Sequence, residues 1–291
     1  MLAVLLSIAA AACFALGSMQ VDSVSRQVSA LQLVFWQMLF ACLMTATVGL
    51  AVGGWTTLGA QELGWLTASS AAAVMVGGLT YIAAIKMMGP RLFALFFTLS
   101  APFALALGYL FRGETVTWLQ AGGVVLILAG IVLAILGPRS DDGKARTRAL
   151  GLGTALGLVT ALSQALGNLF ARPAMLAGTE PFTAIAVRSG LGALFFLLLL
   201  TLPRWRPTTP LGGADARKIG LSALSGMFLG MSLLMAALAR GDVGIVSTLS
   251  STTPILILPM VWVVTRRLPG PAAWIGAVLA VAGTGLISAT S

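Results

Sequence analysis

The sequence predicts an all-α integral membrane protein with ten transmembrane helices, built as two inverted five-helix repeats. Three observations support this fold class. The chain has 291 residues, of which 58% are hydrophobic and only 9% are charged, and its mean hydropathy is +1.01. Its charges are separated by uncharged runs long enough for a helix of about 20 residues to cross a hydrocarbon core of about 30 Å. The two halves of the chain also repeat one pattern at a shift of 150 to 153 residues.

The apolar runs are continuous and do not alternate with polar residues, so they predict helices and not the strands of a membrane barrel. A soluble domain with a polar shell is excluded by the same composition. The ten predicted spans cover residues 2–20, 31–52, 63–86, 92–111, 117–137, 149–171, 181–202, 218–239, 243–265 and 271–289.

The distribution of basic residues predicts the orientation in the membrane. Thirteen of the seventeen Lys and Arg residues lie in, or at the edges of, the loops that follow the odd-numbered spans. Positive loops face the cytoplasm, so loops 139–148, 204–218 and 266–267 are expected inside and both termini outside. The expected location is the plasma membrane, as a multi-pass protein of the bacterial inner membrane. The net charge of +9 does not indicate a nucleic-acid partner, because the basic residues lie mostly in short loops between spans, without an overall interleaved aromatic pattern.

The internal repeat indicates how the spans are grouped. The motif Ala-Leu-Gly-Ser ending at Ser18 returns as Ala-Leu-Gly-Asn ending at Asn168. Each copy contains five spans, an odd number, so the second copy enters the membrane from the opposite side and the repeat is inverted. We predict a first repeat at 1–137, a polar linker at 138–148 and a second repeat at 149–291. The other matched pairs are Gln37 with Arg188, Gly89 with Gly241, Pro102 with Pro254, Gly123 with Gly276, and Gly130 with Gly283.

A proline lies near the middle of the fourth span of each repeat, at Pro102 and Pro254. A helix interrupted at membrane depth exposes backbone groups that are tolerated only where they line a cavity or pack against protein. Hydroxyl residues accompany both prolines, and they either bond the freed carbonyls or line the cavity and contact cargo. These residues are Thr98, Ser100, Ser250, Thr252 and Thr253.

Four further polar residues at membrane depth are candidates for binding a substrate, because polar groups there tend to face a cavity or one another. Arg188 is the one basic residue well inside a predicted span. It either extends to the interface, bonds backbone carbonyls, or binds the carboxylate or phosphate of a substrate. Gln37 is its counterpart in the first repeat. Tyr81 either stacks on cargo or packs between helices, and Asn168 is the remaining candidate.

Ten spans in two copies, each with a proline in its fourth span and a glycine-spaced fifth, resemble the drug/metabolite transporter superfamily, specifically its EamA type. Residues 112–123, Arg-Gly-Glu-Thr-Val-Thr-Trp-Leu-Gln-Ala-Gly-Gly, are similar to the glycine-glutamate turn of that family. The second repeat departs from the turn, with Arg266 and Arg267 where the glutamate would stand. The resemblance implies a helix bundle around a central cavity and export of amino acids or similar small metabolites by alternating access.

The inventory of reactive groups predicts a carrier and not an enzyme. The chain has no histidine, and its eight acidic residues fall in predicted loops or at span ends. No nucleophile with a base, metal cluster or phosphate-binding loop is evident, so we expect no catalytic residues, no metal and no cofactor. We also expect transport without a buried acidic proton carrier. The expected partners are a small-molecule substrate and membrane lipids, with the chain acting as a monomer. The alternative is a membrane scaffold or lipid-handling protein with no transport cycle.

Overall fold

The computed structural model describes residues 2–25, 28–112, 117–136, 144–206, 211–240, 252–266 and 270–288, together with residues 246 and 250. These residues are almost entirely helical, as the continuous apolar runs predict. In the first half, the helices are α1 (Leu2–Ser25), α2 (Ala30–Ala51), α3 (Ala60–Ser69), α4 (Gly77–Phe97), α5 (Ser100–Arg112) and α6 (Trp118–Leu136). In the second half, they are α7 (Lys144–Leu176), α8 (Pro181–Thr201), α9 (Gly213–Ser222), α10 (Met231–Leu238), α11 (Thr253–Thr265) and α12 (Pro271–Ser288).

Seven helical stretches in the described ranges are long and apolar enough, by length and composition, to cross a membrane. Two shorter apolar helices, Trp118–Leu133 and Pro271–Leu286, coincide with the predicted fifth and tenth spans. The predicted ninth span is described from residue 252 onward and contains α11. Large apolar side chains such as Leu110 and Val263 point outward, 71% and 67% exposed. A chain surrounded by water would not leave so many of them uncovered, whereas lipid solvates them.

The third span of each half contains a wide helical turn that the sequence analysis does not predict. Residues Ser70–Val76 join α3 to α4 as a π-helix, and Ala223–Gly230 join α9 to α10 in the same way. A π-helix bonds each N–H to the carbonyl five residues earlier, which widens the turn, and such segments are frequent at functional sites. The two segments lie at corresponding positions of the two halves.

The two prolines begin helices and do not kink them, which corrects the expectation of a proline-centred break. The chain turns at residues 98 and 99, and Pro102 then stands in the first turn of α5. Pro254 likewise falls in the first turn of α11, which begins at Thr253 after the N-cap residue Thr252. This position suits proline, because the first-turn N–H groups have no partner within the helix. Each break therefore lies just before its proline.

Two helix boundaries fall near the predicted ones. The helix α7 begins at Lys144, inside the stretch predicted as the polar linker 138–148. The third and fourth spans separate at Gly89, where α4 is kinked, and the φ of 78° and ψ of 163° of this residue change the chain direction. Only glycine adopts that backbone conformation without strain.

Helices from different halves pack in matched pairs. The second spans α2 and α8 contact each other, as do the fifth spans α6 and α12. At the second of these crossings, a Cβ built on Gly130 would lie 2.5 Å from the Gly276 carbonyl oxygen, and one built on Gly283 would clash with the Gly123 carbonyl. Small residues thus allow close backbone approach. Gly123 corresponds to Gly276 in the repeat, and Gly130 corresponds to Gly283. All four glycines lie at this one crossing of α6 and α12.

Candidate functional site

A cavity of about 110 Å³ lies between the two halves and is lined by residues from both. It is bordered by the first, second and third spans of each half and by the fourth spans, through Phe93, Ala94 and Phe97 in the first half and Thr253 in the second. Both π-helical segments contribute to its wall, through Ala73 and Val74 in the first half and through Gly226 and Met227 in the second. The cavity therefore forms where corresponding elements of the two halves meet.

Each π-helical segment is held against the first helix of the other half by the same two contacts. A Cβ on Gly17 would lie 3.0 Å from the Gly226 Cα, and one on Gly167 would clash with Ala73. The Ser222 hydroxyl donates to the Gly17 carbonyl at 3.1 Å. In the same way, the Ser69 hydroxyl donates to the Gly167 carbonyl at 2.6 Å. Close approach and paired hydroxyls fix these helices beside the cavity.

Aromatic side chains of the first half form one side of the cavity. We call this the aromatic wall, and it consists of Phe14, Tyr81, Phe93 and Phe97. The rings of Tyr81 and Phe93 meet edge to face, with centroids 5.0 Å apart and planes at 79°, and Phe93 packs on Phe97 at 5.8 Å. Such contacts hold the rings in fixed orientations. Within the described residues, the Tyr81 hydroxyl has no hydrogen-bond partner, so it is free to bond a ligand.

Polar side chains of the second half line the same cavity. We call this the polar wall, and it consists of Thr160, Gln164, Arg188 and Thr253. Three of them are bonded within the protein. Thr160 donates to the Leu156 carbonyl at 2.8 Å, Gln164 donates to the Asn168 side chain at 2.9 Å, and Thr253 donates to the Ser250 carbonyl at 2.9 Å.

Arg188 is the exception on the polar wall. It lies two turns into α8, its side chain is 1% exposed, and neither Nε nor Nη2 has a hydrogen-bond partner in the described structure. Nη1 lies 4.0 Å from the Met235 sulfur, which is a weak acceptor. Its backbone, in contrast, is fixed, because the Ser70 hydroxyl donates to the Arg188 carbonyl at 2.7 Å. Arg188 thus borders the cavity, and two of its guanidinium nitrogen atoms are buried without an acceptor.

Gln37 occupies the corresponding position of the first half and has a partner. Its Nε2 donates to the Ser222 hydroxyl at 3.0 Å, and that hydroxyl in turn donates to the Gly17 carbonyl. Gln37 is 3% exposed and borders the cavity beside Ser18. The two halves are therefore alike in backbone and different in electrostatics, with a satisfied neutral amide in one and an unsatisfied cation in the other.

Comparison with known proteins agrees with this architecture of two similar halves. The model of the EamA-like transporter family matches the chain twice, over residues 1–136 and 151–289. The chain belongs to the EamA-like transporter family. This confirms the resemblance to the drug/metabolite transporter superfamily drawn from the sequence.

A solved crystal structure shares the fold of this EamA-like transporter. The two chains superpose with a TM-score of 0.75 at 17% identity, covering 98% of this chain and 95% of the other. That structure is described only as the crystal structure of a protein. At this level of identity, the likeness concerns the fold alone. No curated protein matches the sequence.

The site residues predicted from the sequence of this transporter fall into three groups. Gln37, Tyr81, Arg188 and Thr253 line the cavity. Thr98 and Asn168 do not line it. Thr98 is buried and donates to the Leu95 carbonyl at 2.6 Å, and Asn168 accepts a hydrogen bond from the cavity residue Gln164.

The remaining five candidates belong to the two breaks. Ser100 begins α5, Pro102 follows it in the first turn, and Thr252 precedes α11. The Ser250 hydroxyl donates to the Val246 carbonyl. The side chain of Pro254 lies outside the described residues, although its backbone belongs to α11.

Several cavity residues of the transporter were not predicted as site residues. Phe14 stands four residues before the repeat motif position Ser18, which is one helical turn along the same face. That spacing was the available signal. Phe93 and Phe97 have no such signal, since they resemble any other apolar residues of a membrane helix until the helices are packed.

Proposed function

We propose that this EamA-like transporter carries a small metabolite across the bacterial inner membrane, with amino acids as the first class of cargo to test, in the direction of export. The observation that carries the proposal is the cavity between the two halves, which combines an aromatic wall with a polar wall. Pockets that bind small molecules are mostly apolar with a few placed polar groups. A membrane scaffold needs no such cavity and would favour a fully packed interior.

The proposed mechanism is alternating access by two inverted repeats. Support comes from contacts that occur in reciprocal pairs, as at Gly17 with Gly226 and at Gly167 with Ala73. Reciprocal contacts are expected when a pseudo-two-fold axis lies in the membrane plane. Two halves related in this way exchange their conformations when they rock about the cavity, so an inward-open and an outward-open state have similar internal packing.

The energy source we propose is the gradient of the cargo itself or exchange against a second solute. None of the cavity residues that the structure describes is Asp, Glu or His, the side chains that usually carry protons in transporters. Collapse of the proton gradient across proteoliposomes should leave the initial uptake rate unchanged. A clear drop in that rate would refute this part of the proposal.

Two further parts of the proposal concern the assembly and the orientation. One chain contains both repeats, so a monomer suffices to build the pathway. The basic loops 139–148, 204–218 and 266–267 are proposed to face the cytoplasm. Reporter domains that are active only in the periplasm should be active when fused to either terminus. Activity of a cytoplasm-only reporter at those termini would reverse the orientation.

The decisive experiment is uptake into liposomes that contain the purified protein, screened across amino acids and other small metabolites. A variant with a blocked cavity is compared with a matched control variant. Met227→Trp places a large ring in the cavity wall and should abolish uptake. Leu229→Trp lies in the same π-helical segment but its side chain is exposed outside the cavity, and it should leave uptake intact. Equal uptake by both variants would rule out this cavity as the pathway.

A further inference from the structure

We propose that the cavity is built for an organic monoanion, a carboxylate on a compact aromatic or apolar body, and that an α-amino group on the cargo weakens binding. This inference rests on the proposed transport function and names the class of cargo. Its central element is the guanidinium of Arg188, which lines the cavity, is 1% exposed and has two nitrogen atoms without an acceptor.

A structural role for Arg188 would require acceptors that the protein does not supply. A buried unpaired charge is unfavourable by several kcal/mol, and arginine at membrane depth normally pairs with an acid or with backbone carbonyls. The hydroxyls of Ser69 and Ser70 in the third span bond carbonyl groups and not the guanidinium. Ser69 donates to the Gly167 carbonyl and Ser70 donates to the Arg188 carbonyl. The protein therefore fixes the backbone of Arg188 and leaves its guanidinium unsatisfied.

The comparison with Gln37 shows that the fold itself does not require this arrangement. At that corresponding position, a neutral side chain bonds the Ser222 hydroxyl and leaves no donor group orphaned. A neutral amide therefore fits this position of the repeat, and in the second half Arg188 places a positive charge there instead. A ligand oxyanion would complete it, since guanidinium and carboxylate form two parallel hydrogen bonds.

The charge of the other cavity residues restricts the ligand to a single negative charge. Arg188 is the one charged side chain among the cavity residues that the structure describes. A carboxylate neutralises it. A phosphate dianion would leave an excess negative charge at membrane depth, which is unfavourable.

The same wall offers an ammonium group only neutral acceptors. Thr160, Gln164 and Thr253 supply oxygen atoms, but no cavity residue in the described part of the chain carries a carboxylate. An α-amino acid would therefore lose the hydration of its ammonium group without gaining an ionic partner. An acid of the same shape without the amine avoids that loss, so it should bind better.

The aromatic wall and the cavity volume define the rest of the cargo. The rings of Phe14, Tyr81 and Phe93 present apolar surface in the cavity that Arg188 also lines. One water needs at least about 10–15 Å³ of cavity space, so a cavity of about 110 Å³ holds about seven to eleven atoms of that size. A phenyl ring with a short acid chain is of this size.

The test is a binding and counterflow comparison of four probes that share a phenyl body: 3-phenylpropionate, phenylalanine, phenethylamine and 3-phenylpropanol. We expect 3-phenylpropionate to bind purified full-length protein at least about tenfold more tightly than the other three. Arg188→Gln should reduce its affinity by about tenfold or more and bring it close to that of the alcohol. Arg188→Lys should retain part of the preference. The matched control is Arg240→Gln, an exposed arginine that bonds the Ala236 carbonyl, and it should change nothing.

The outcomes separate this inference from the proposed function. If phenylalanine or phenethylamine binds as tightly as 3-phenylpropionate, or if Arg188→Gln leaves the preference intact, the monoanion inference is wrong while transport stands. Absence of 3-phenylpropionate binding at millimolar concentration also overturns it. The proposed transport function is tested separately, and it is refuted if none of the compounds in the liposome screen is taken up. The lysine variant keeps the positive charge but not the planar guanidinium, so it tests the charge independently of the glutamine variant.

Discussion

Replacement of Arg188 by glutamine should make the unliganded transporter more stable, which is the reverse of the usual effect of removing a buried side chain. The guanidinium is 1% exposed, two of its nitrogen atoms lack acceptors, and the third faces only the Met235 sulfur. An arginine at the centre of a membrane helix is unfavourable by about 2.5–3.5 kcal/mol on insertion scales. Glutamine removes the charge and keeps a side chain of moderate length.

The expected gain is smaller than the insertion penalty. The shorter glutamine loses some packing against α10, and cavity creation of this kind typically lowers stability by about 1 kcal/mol. The net expectation is an increase of about 2 kcal/mol in the free energy of unfolding, or about 5 °C in the apparent melting temperature. Gln37 supports the direction, because a glutamine at the corresponding position of the first half is fully bonded to its Ser222 partner.

The assay is thermal unfolding of the purified protein in detergent, followed by intrinsic tryptophan fluorescence, with and without excess 3-phenylpropionate. Arg240→Gln is the matched control and should shift the melting temperature little, since surface changes stay within about 0.5 kcal/mol. The acid should stabilise the natural protein more than the Arg188→Gln variant. A decrease in the stability of unliganded Arg188→Gln by more than about 1 kcal/mol would refute the reasoning, because it would mean that the guanidinium supports the fold.

Three other substitutions test the packing and the cavity. Gly130→Ala should lower the free energy of unfolding by about 1–3 kcal/mol, because its Cβ would lie 2.5 Å from the Gly276 carbonyl oxygen. The control is Gly122→Ala, on the same helix with open space around it, which should be neutral or stabilising by up to about 1 kcal/mol. Equal melting temperatures of the Gly130→Ala and Gly122→Ala variants would contradict the close crossing. Gly89→Ala should cost about 1–3 kcal/mol from its positive φ alone, and an unchanged denaturation midpoint would show that the chain turns differently there. Tyr81→Phe should leave the melting temperature unchanged and raise the KM for cargo by about two- to tenfold, whereas an unchanged KM in liposome uptake would place the hydroxyl outside the site.

Much of the fold was accessible from the sequence, because a bilayer leaves few choices. A backbone in hydrocarbon must satisfy its own hydrogen bonds, so each long uncharged run predicts a helix, and the helices coincide with the predicted spans. The prolines also indicated where each fourth span is interrupted. They did not reveal that the interruption precedes them, at residues 98 and 99 in the first half, because a proline is compatible with both a kink and a first turn.

The candidate site was accessible only in part. Arg188, Gln37 and Tyr81 were predicted because charge and polarity at membrane depth are exceptional wherever they point. Thr98 was predicted on the same grounds, yet its hydroxyl bonds the Leu95 carbonyl behind the cavity. The phenylalanines of the aromatic wall carry no such signal, since an apolar ring has the same sequence context whether it faces lipid, another helix or a cavity.

The sequence by itself determined the class of the protein, the positions of its spans, the repeat and the absence of histidine, because these depend on composition and on periodicity along one chain. Only the tertiary structure decided which face of each helix borders the cavity and that the two π-helical segments meet the first helix of the opposite half. It also decided that Arg188 has no partner while Gln37 has one. The physical reason is that hydrogen-bond satisfaction depends on groups brought together from distant parts of the chain, as when Ser222 reaches both Gln37 and Gly17.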